Sequence, residues 1–181
     1  MKTAIFLATG YEEIEALTVV DMLRRKSIVI DMISITEFKE TIGSHGIKVT
    51  ADLTIENADF DSYDCLILPG GGPGTQALKK CDYLLNRLDK AFDEGKLICA
   101  ICAAPTVLGQ QGYLKGKKAC CYPGLEEGLE GAQVVFDSVV KDGNIITSRG
   151  MGTAILFADK IIETIQGKEV AEKILKEIVY L

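Results

Sequence analysis

Gly95-Lys96-Leu97-Ile98-Cys99-Ala100-Ile101-Cys102-Ala103-Ala104-Pro105-Thr106-Val107-Leu108 is the stretch that decides the fold. The apolar run 97–101 is short and unbroken, which suits a strand buried on both faces. It stops at Cys102. Small residues and Pro105 follow, and then a helix-compatible run begins. The spacing predicts a strand, a sharp turn and a helix, with a thiol on the turn. Open α/β sheets bind ligands at the carboxyl ends of their strands, so the thiol stands where a substrate would arrive. Backbone N–H groups at a helix start are expected to favour an anion there and to lower a thiol pKa. Free cysteines are also common as inert core residues, so Cys102 needs partners before it reads as a nucleophile.

The segments around it repeat the pattern. Residues 2–8 read as a strand. Thr9-Gly10-Tyr11-Glu12-Glu13 turns into a helix reaching about Lys26, with Ala16, Val20 and Leu23 at helical spacing. Residues 28–35 are a second strand. A hairpin-like region follows, with a turn at Gly43-Ser44-His45-Gly46 and a short strand over 47–50. Residues 52–64 read as an irregular acidic connection. Cys65-Leu66-Ile67-Leu68 is a core strand running into Pro69-Gly70-Gly71-Gly72-Pro73-Gly74, and the helix after it breaks near Cys81-Asp82. Short strands are expected over 117–121, 134–136, 139–140 and 145–147, the last two joined by Asp142-Gly143-Asn144. The helix after residues 148–153 is expected to bury Ile155, Ala158, Ile162 and Ile165. A final helix, about 168–179, buries Ala171, Ile174, Leu175 and Ile178. Strands alternating with helices make an α/β fold, most simply a flavodoxin-like three-layer sandwich, mainly parallel with helices on both faces. No repeat or linker interrupts it, so residues 1–181 read as one domain.

Composition narrows the partners. Acids outnumber bases, 26 to 20, without a basic cluster, which argues against nucleic acid or an anionic membrane surface. No run approaches the length of a membrane span. The apolar start is too short for a signal peptide, so a cytoplasmic location is expected. Cys65, Cys81, Cys99, Cys102, Cys120 and Cys121 then read as reduced thiols. His45 is the only histidine, so no His-rich metal site is available and no metal is expected. Cys99 and Cys102 have dithiol spacing, but Cys99 falls inside the strand.

The glycine turn is not a phosphate loop, because Gly-Lys-Ser/Thr is missing, and Thr75 stands where a dinucleotide fingerprint needs its third glycine. A receiver-domain reading fails because the strand over 65–68 ends in Leu68-Pro69. What remains is a tight turn whose N–H groups, with that of Ala103, would make an oxyanion hole if the two strands are neighbours. Glu12 and Glu13 suit a helix start through the dipole alone. Glu15 lies nearer the apolar face. Burial beside Cys102 would raise its pKa and make it a proton donor or acid/base. His45 sits in a polar turn typical of surface residues, and Tyr122 precedes a Pro at what would be the pocket rim.

In order along the chain, Gly10-Tyr11-Glu12-Glu13-Ile14-Glu15, Val20-Asp21-Met22-Leu23-Arg24-Arg25, Leu68-Pro69-Gly70-Gly71, Ala100-Ile101-Cys102-Ala103-Ala104-Pro105-Thr106 and Thr147-Ser148-Arg149-Gly150-Met151-Gly152-Thr153 form a set. That set resembles the ThiJ/PfpI superfamily, in its branch of parkinsonism-associated protein deglycases. The resemblance implies a homodimer, Cys102 as an oxidation-sensitive nucleophile, Glu15 as its protonated partner, and Gly71, beside Gly70, with Ala103 as oxyanion donors. It implies cofactor-free conversion of methylglyoxal to lactate, deglycation of protein adducts, or oxidative-stress sensing through a Cys102 sulfinate. A chaperone role of the dimer is a further alternative. Tyr122 departs from a histidine common in the branch, and Met151 from a proline. Ala103 replaces the histidine typical of the protease-like branch, which weakens a cysteine-peptidase reading. In family dimers the hairpin carrying His45 approaches the partner's pocket.

Overall fold

The computed structural model describes residues 1–180. Strand β1 (Lys2–Leu7) leads to helix α1 (Glu13–Arg25) and strand β2 (Val29–Ser34). The hairpin strands β3 (Glu40–Ile42) and β4 (Lys48–Thr50) pair antiparallel as a separate ribbon. Next come β5 (Leu53–Thr54), β6 (Cys65–Leu68), α2 (Gly72–Lys79), α3 (Asp82–Asp93) and β7 (Leu97–Ile101). The chain ends with α4 (Pro105–Gln110), β8 (Lys118–Ala119), β9 (Gln133–Val134), β10 (Val139–Asp142), β11 (Ile145–Ser148), α5 (Ala154–Gln166) and α6 (Lys168–Glu177).

The main sheet has the order β10-β11-β7-β6-β1-β2-β5 and is parallel except for β10 against β11. Alternation along each strand divides the core into two. Cys65 and Ile67 of β6 and Leu97, Cys99 and Ile101 of β7 face α1, α5 and α6. Leu66, Leu68, Ile98 and Ala100 face α3 and α4. Each fully buried Leu or Ile contributes about 1.5–3 kcal/mol by leaving water, so both faces are held. The α/β sandwich with a mainly parallel sheet is therefore what the chain forms. Among the described residues no helix is long and apolar enough to cross a membrane.

Several boundaries differ from the sequence reading. The acidic connection over 52–64 contains the edge strand β5 and two single 3-10 turns. The strands expected at 117–121 and 134–136 shrink to β8 and β9, which pair with each other outside the main sheet. Helix α5 buries Ala154, Phe157, Ala158, Ile161 and Ile162, while Ile155 and Ile165 are only half-buried. Its buried face is turned because α5 packs against α1, α6 and the sheet at once. Isoleucines can line the edge of so broad a contact.

The order of strands positions the site. β1 sits between β2 and β6, so the chain changes direction across the β1/β6 boundary. The loops after β1, β6 and β7 then open at one sheet edge.

Candidate active site

Cys102 follows the last residue of β7 and adopts φ +65°. A side chain in left-handed backbone costs on the order of 1–2 kcal/mol, and the surroundings must hold it there. They do so on both sides. The Cys102 N–H donates to the Ser148 carbonyl (2.9 Å), and the Cys102 carbonyl accepts from the Tyr122 N–H (2.8 Å). Cys102 is half-buried, and all six cysteines are free thiols. Cys99 is fully buried with its Sγ 3.8 Å from that of Cys65, so it faces the core and the dithiol reading fails.

The glycine turn after β6 meets the start of α1. The Gly70 N–H donates to Glu15 Oε2 (2.9 Å), and the Gly70 carbonyl accepts from the Glu12 N–H (3.0 Å). A Cβ on Gly70 would stand 2.6 Å from the Cys102 Cβ and 2.6 Å from Glu15 Oε2. Only a glycine lets the thiol and the carboxyl close over it. Gly71 has φ +92°, and a Cβ there would lie 2.4 Å from the Gly10 carbonyl oxygen. That conformation turns the Gly71 N–H towards the Cys102 sulfur, where the Ala103 N–H also points.

Glu15 is 1% exposed and faces the Cys102 thiol, and its Oε1 has no nitrogen or oxygen partner. Burial pushes the Glu15 carboxyl up to about 7, against the lowering effect of the thiol and the Gly70 N–H. Burial, and then the adjacent Glu15 carboxylate, push the Cys102 thiol up to about 12. The N–H groups of Gly71 and Ala103 oppose that rise and do not cancel it. The expected fall in the thiol pKa is therefore not found. Helix α4 has only six residues and begins at Pro105, so two individual N–H groups act in place of a helix dipole. Two groups this close titrate as a pair, and above about pH 7 the pair holds one proton.

The remaining candidates separate. Tyr122 is half-exposed at the rim. A Cβ on Gly150 would meet its Cδ2 at 3.4 Å and Glu15 Oε1 at 3.9 Å, so the ring lies near the carboxyl. Within the chain, His45 binds Glu13 and not Cys102. Its Nδ1 is 2.9 Å from Glu13 Oε2, and its backbone N–H donates to Glu13 Oε1 (2.7 Å). Glu13 is buried, and its carboxyl lies at about 2: burial would raise it, but the hydrogen bond from His45 and backbone N–H groups outweigh that. A reading of Glu13 through the helix dipole alone missed this clasp, because its partner lies in a hairpin 32 residues away. Ligand atoms of Glu12, Glu13 and His45 come within 4.8 Å of one another, the donor set among the described residues that comes nearest to a metal site.

Comparison with known proteins gives one answer. The model of the DJ-1/PfpI family matches residues 1–164. Protein dj-1beta of Drosophila melanogaster is 37% identical over 174 residues, covering 95% of this chain and 93% of that protein. Its crystal structure aligns with a TM-score of 0.93 over 98% of this chain and 97% of that one. A Caenorhabditis elegans relative named glutathione-independent glyoxalase DJR-1.2 is 33% identical over 92% of this chain and 89% of that protein. The Arabidopsis thaliana proteins DJ-1 homolog B and homolog A are 37% and 39% identical over 90% and 93% of this chain, which spans 37% and 44% of their length.

Proposed function

This chain belongs to the DJ-1/PfpI family, and from that premise we propose that it is a cysteine-dependent enzyme of glyoxalase or deglycase type. Its substrates are α-oxoaldehydes such as methylglyoxal, or their adducts. The observation that carries this reading is the buried Glu15 carboxyl, raised to about 7, against the Cys102 thiol. One relative carries a glyoxalase name.

Glu15 takes the Cys102 proton as the sulfur adds to the aldehyde carbon and passes it to the former carbonyl oxygen, which completes the hemithioacetal. The charge that leaves the sulfur is taken up by the carbonyl oxygen, and the N–H groups of Gly71 and Ala103 stabilise it. Glu15 removes the proton from the former aldehyde carbon, giving an enediolate, and returns it to the neighbouring carbon while the hydroxyl proton passes from the first oxygen to the second. The product is a thioester of a 2-hydroxy acid. Water cleaves it, releasing the acid and the Cys102 thiol. Every proton moved belongs to the thiol, the carboxyl, the substrate or water, so no other reactant is required.

The test is lactate formation from methylglyoxal by metal-free protein. Cys102→Ser is expected to abolish it, and Glu15→Gln to lower it by about 10²–10⁴-fold, the usual reach of a general acid–base. Full activity in Cys102→Ser would sink the proposal. A second reading, oxidative-stress sensing, draws support from access, since Cys102 and Cys81 are half-buried while the other four thiols are buried, and of the two only Cys102 stands at the end of a core strand. Peroxide oxidation of the other cysteines before Cys102 would exclude that one. In either role we propose a homodimeric, cytoplasmic protein.

A further inference from the structure

Helix α2 leads away from the thiol along one wall of a cavity of about 320 Å³. Gly72, Thr75, Gln76 and Lys79 line it, and their spacing places all four on one helical face. Ala103, whose N–H faces the Cys102 sulfur, is in the same wall. The cavity is far larger than a three-carbon oxoaldehyde needs. The face also forms a ruler. Lys79 lies seven residues beyond Gly72, about 10 Å along the helix axis at 1.5 Å per residue.

One group in this cavity is unused by the fold. Lys79 is half-buried and makes no ion pair among the described residues, whereas many of the chain's other lysines are paired. Glu127 lies in the cavity wall as well.

We infer that this cavity is a substrate subsite. It holds the part of an oxoaldehyde or adduct beyond the reactive carbonyl, with Lys79 pairing with a carboxylate at its far end. The substrate class is then an α-oxoaldehyde unit carried on an acidic chain of amino-acid or short-peptide length. The inference rests on the proposed thiol chemistry only for the position of the carbonyl.

The probe is 7,8-dioxooctanoate, an α-oxoaldehyde whose extended chain suits the span to Lys79, compared with its uncharged methyl ester. Wild-type protein is expected to show kcat/KM about tenfold higher for the acid than for the ester, as for a charge-assisted hydrogen bond. Lys79→Met is expected to erase that ratio and Lys79→Arg to keep most of it. The ester reports any general loss of fold or chemistry. A ratio unchanged by Lys79→Met would overturn the subsite. If the protein turns over neither probe, the enzyme reading fails, but calorimetry on Cys102→Ser protein still decides the subsite. The acid must bind more tightly than the ester, and adding Lys79→Met must remove the difference. Equal binding of acid and ester would overturn it.

Discussion

Cys102 occupies left-handed backbone that a glycine would adopt without strain. It is held there by two hydrogen bonds, one given to the Ser148 carbonyl at the end of β11 and one accepted from the Tyr122 N–H. Cys102→Gly is therefore expected to be more stable than Cys102→Ala by about 1 kcal/mol, although both lack the thiol. Urea unfolding of the two variants measures this, and an Ala variant as stable as the Gly variant would mean the turn carries no strain. The Cys102–Glu15 pair sets the pH dependence. Burial raises Glu15 to about 7, so kcat/KM for methylglyoxal is expected to rise with pH through an inflection near 7. Glu15→Gln should lose that inflection along with most of the rate; an inflection that survives in the variant belongs to another group. Cys102, Glu15, Gly70, Gly71 and Ala103 were all legible as candidates, because each lies at or beside a turn where a strand ends. The direction of the thiol pKa was not, because it depends on burial and on a carboxylate from the first helix, far earlier in the chain and brought close only by the fold.

The turn between β6 and α2 joins the two halves of the site. Its Gly70 accepts from the Glu12 N–H just before α1 and donates to Glu15 of α1 while lying under Cys102. Gly70→Ala adds a methyl group 2.6 Å from both the Cys102 Cβ and Glu15 Oε2. Overpacking of this kind costs about 1–3 kcal/mol and moves side chains. The variant is expected to unfold at lower urea concentration and to lose the activity that depends on the thiol and the carboxyl being adjacent. Wild-type activity and stability in Gly70→Ala would show that the turn has room to spare. At this scale the long helices and the core strands followed from periodicity. The two-residue strands β5, β8 and β9 did not, since so short a segment carries no period and is defined by its pairing partner.

Across the whole molecule, two buried carboxyls at the start of α1 respond to pH in opposite directions. Glu15 is raised in the folded state, so the fold favours its protonated form, and the stability this provides is lost as pH rises from about 4.5 through about 7. Glu13 is lowered to about 2 by His45 and backbone N–H groups, so its contribution is present above about 4.5 and is lost as pH falls through about 2. Glu15→Gln is expected to stabilise the protein at pH 8 relative to its effect at pH 5, by roughly 3 kcal/mol at most. Urea unfolding of variant and wild type at both pH values measures the difference, and a variant effect independent of pH would mean that folding does not shift the Glu15 pKa. The sequence by itself determined the alternation of strands and helices, the two-faced core and the turn on which the thiol stands, because hydrophobic period and turn chemistry are local. Only the tertiary structure decided that Glu15 closes on Cys102, that His45 serves Glu13, and that one face of α2 borders a cavity beside the thiol. Those depend on strand order and on desolvation, which act between residues far apart in the chain.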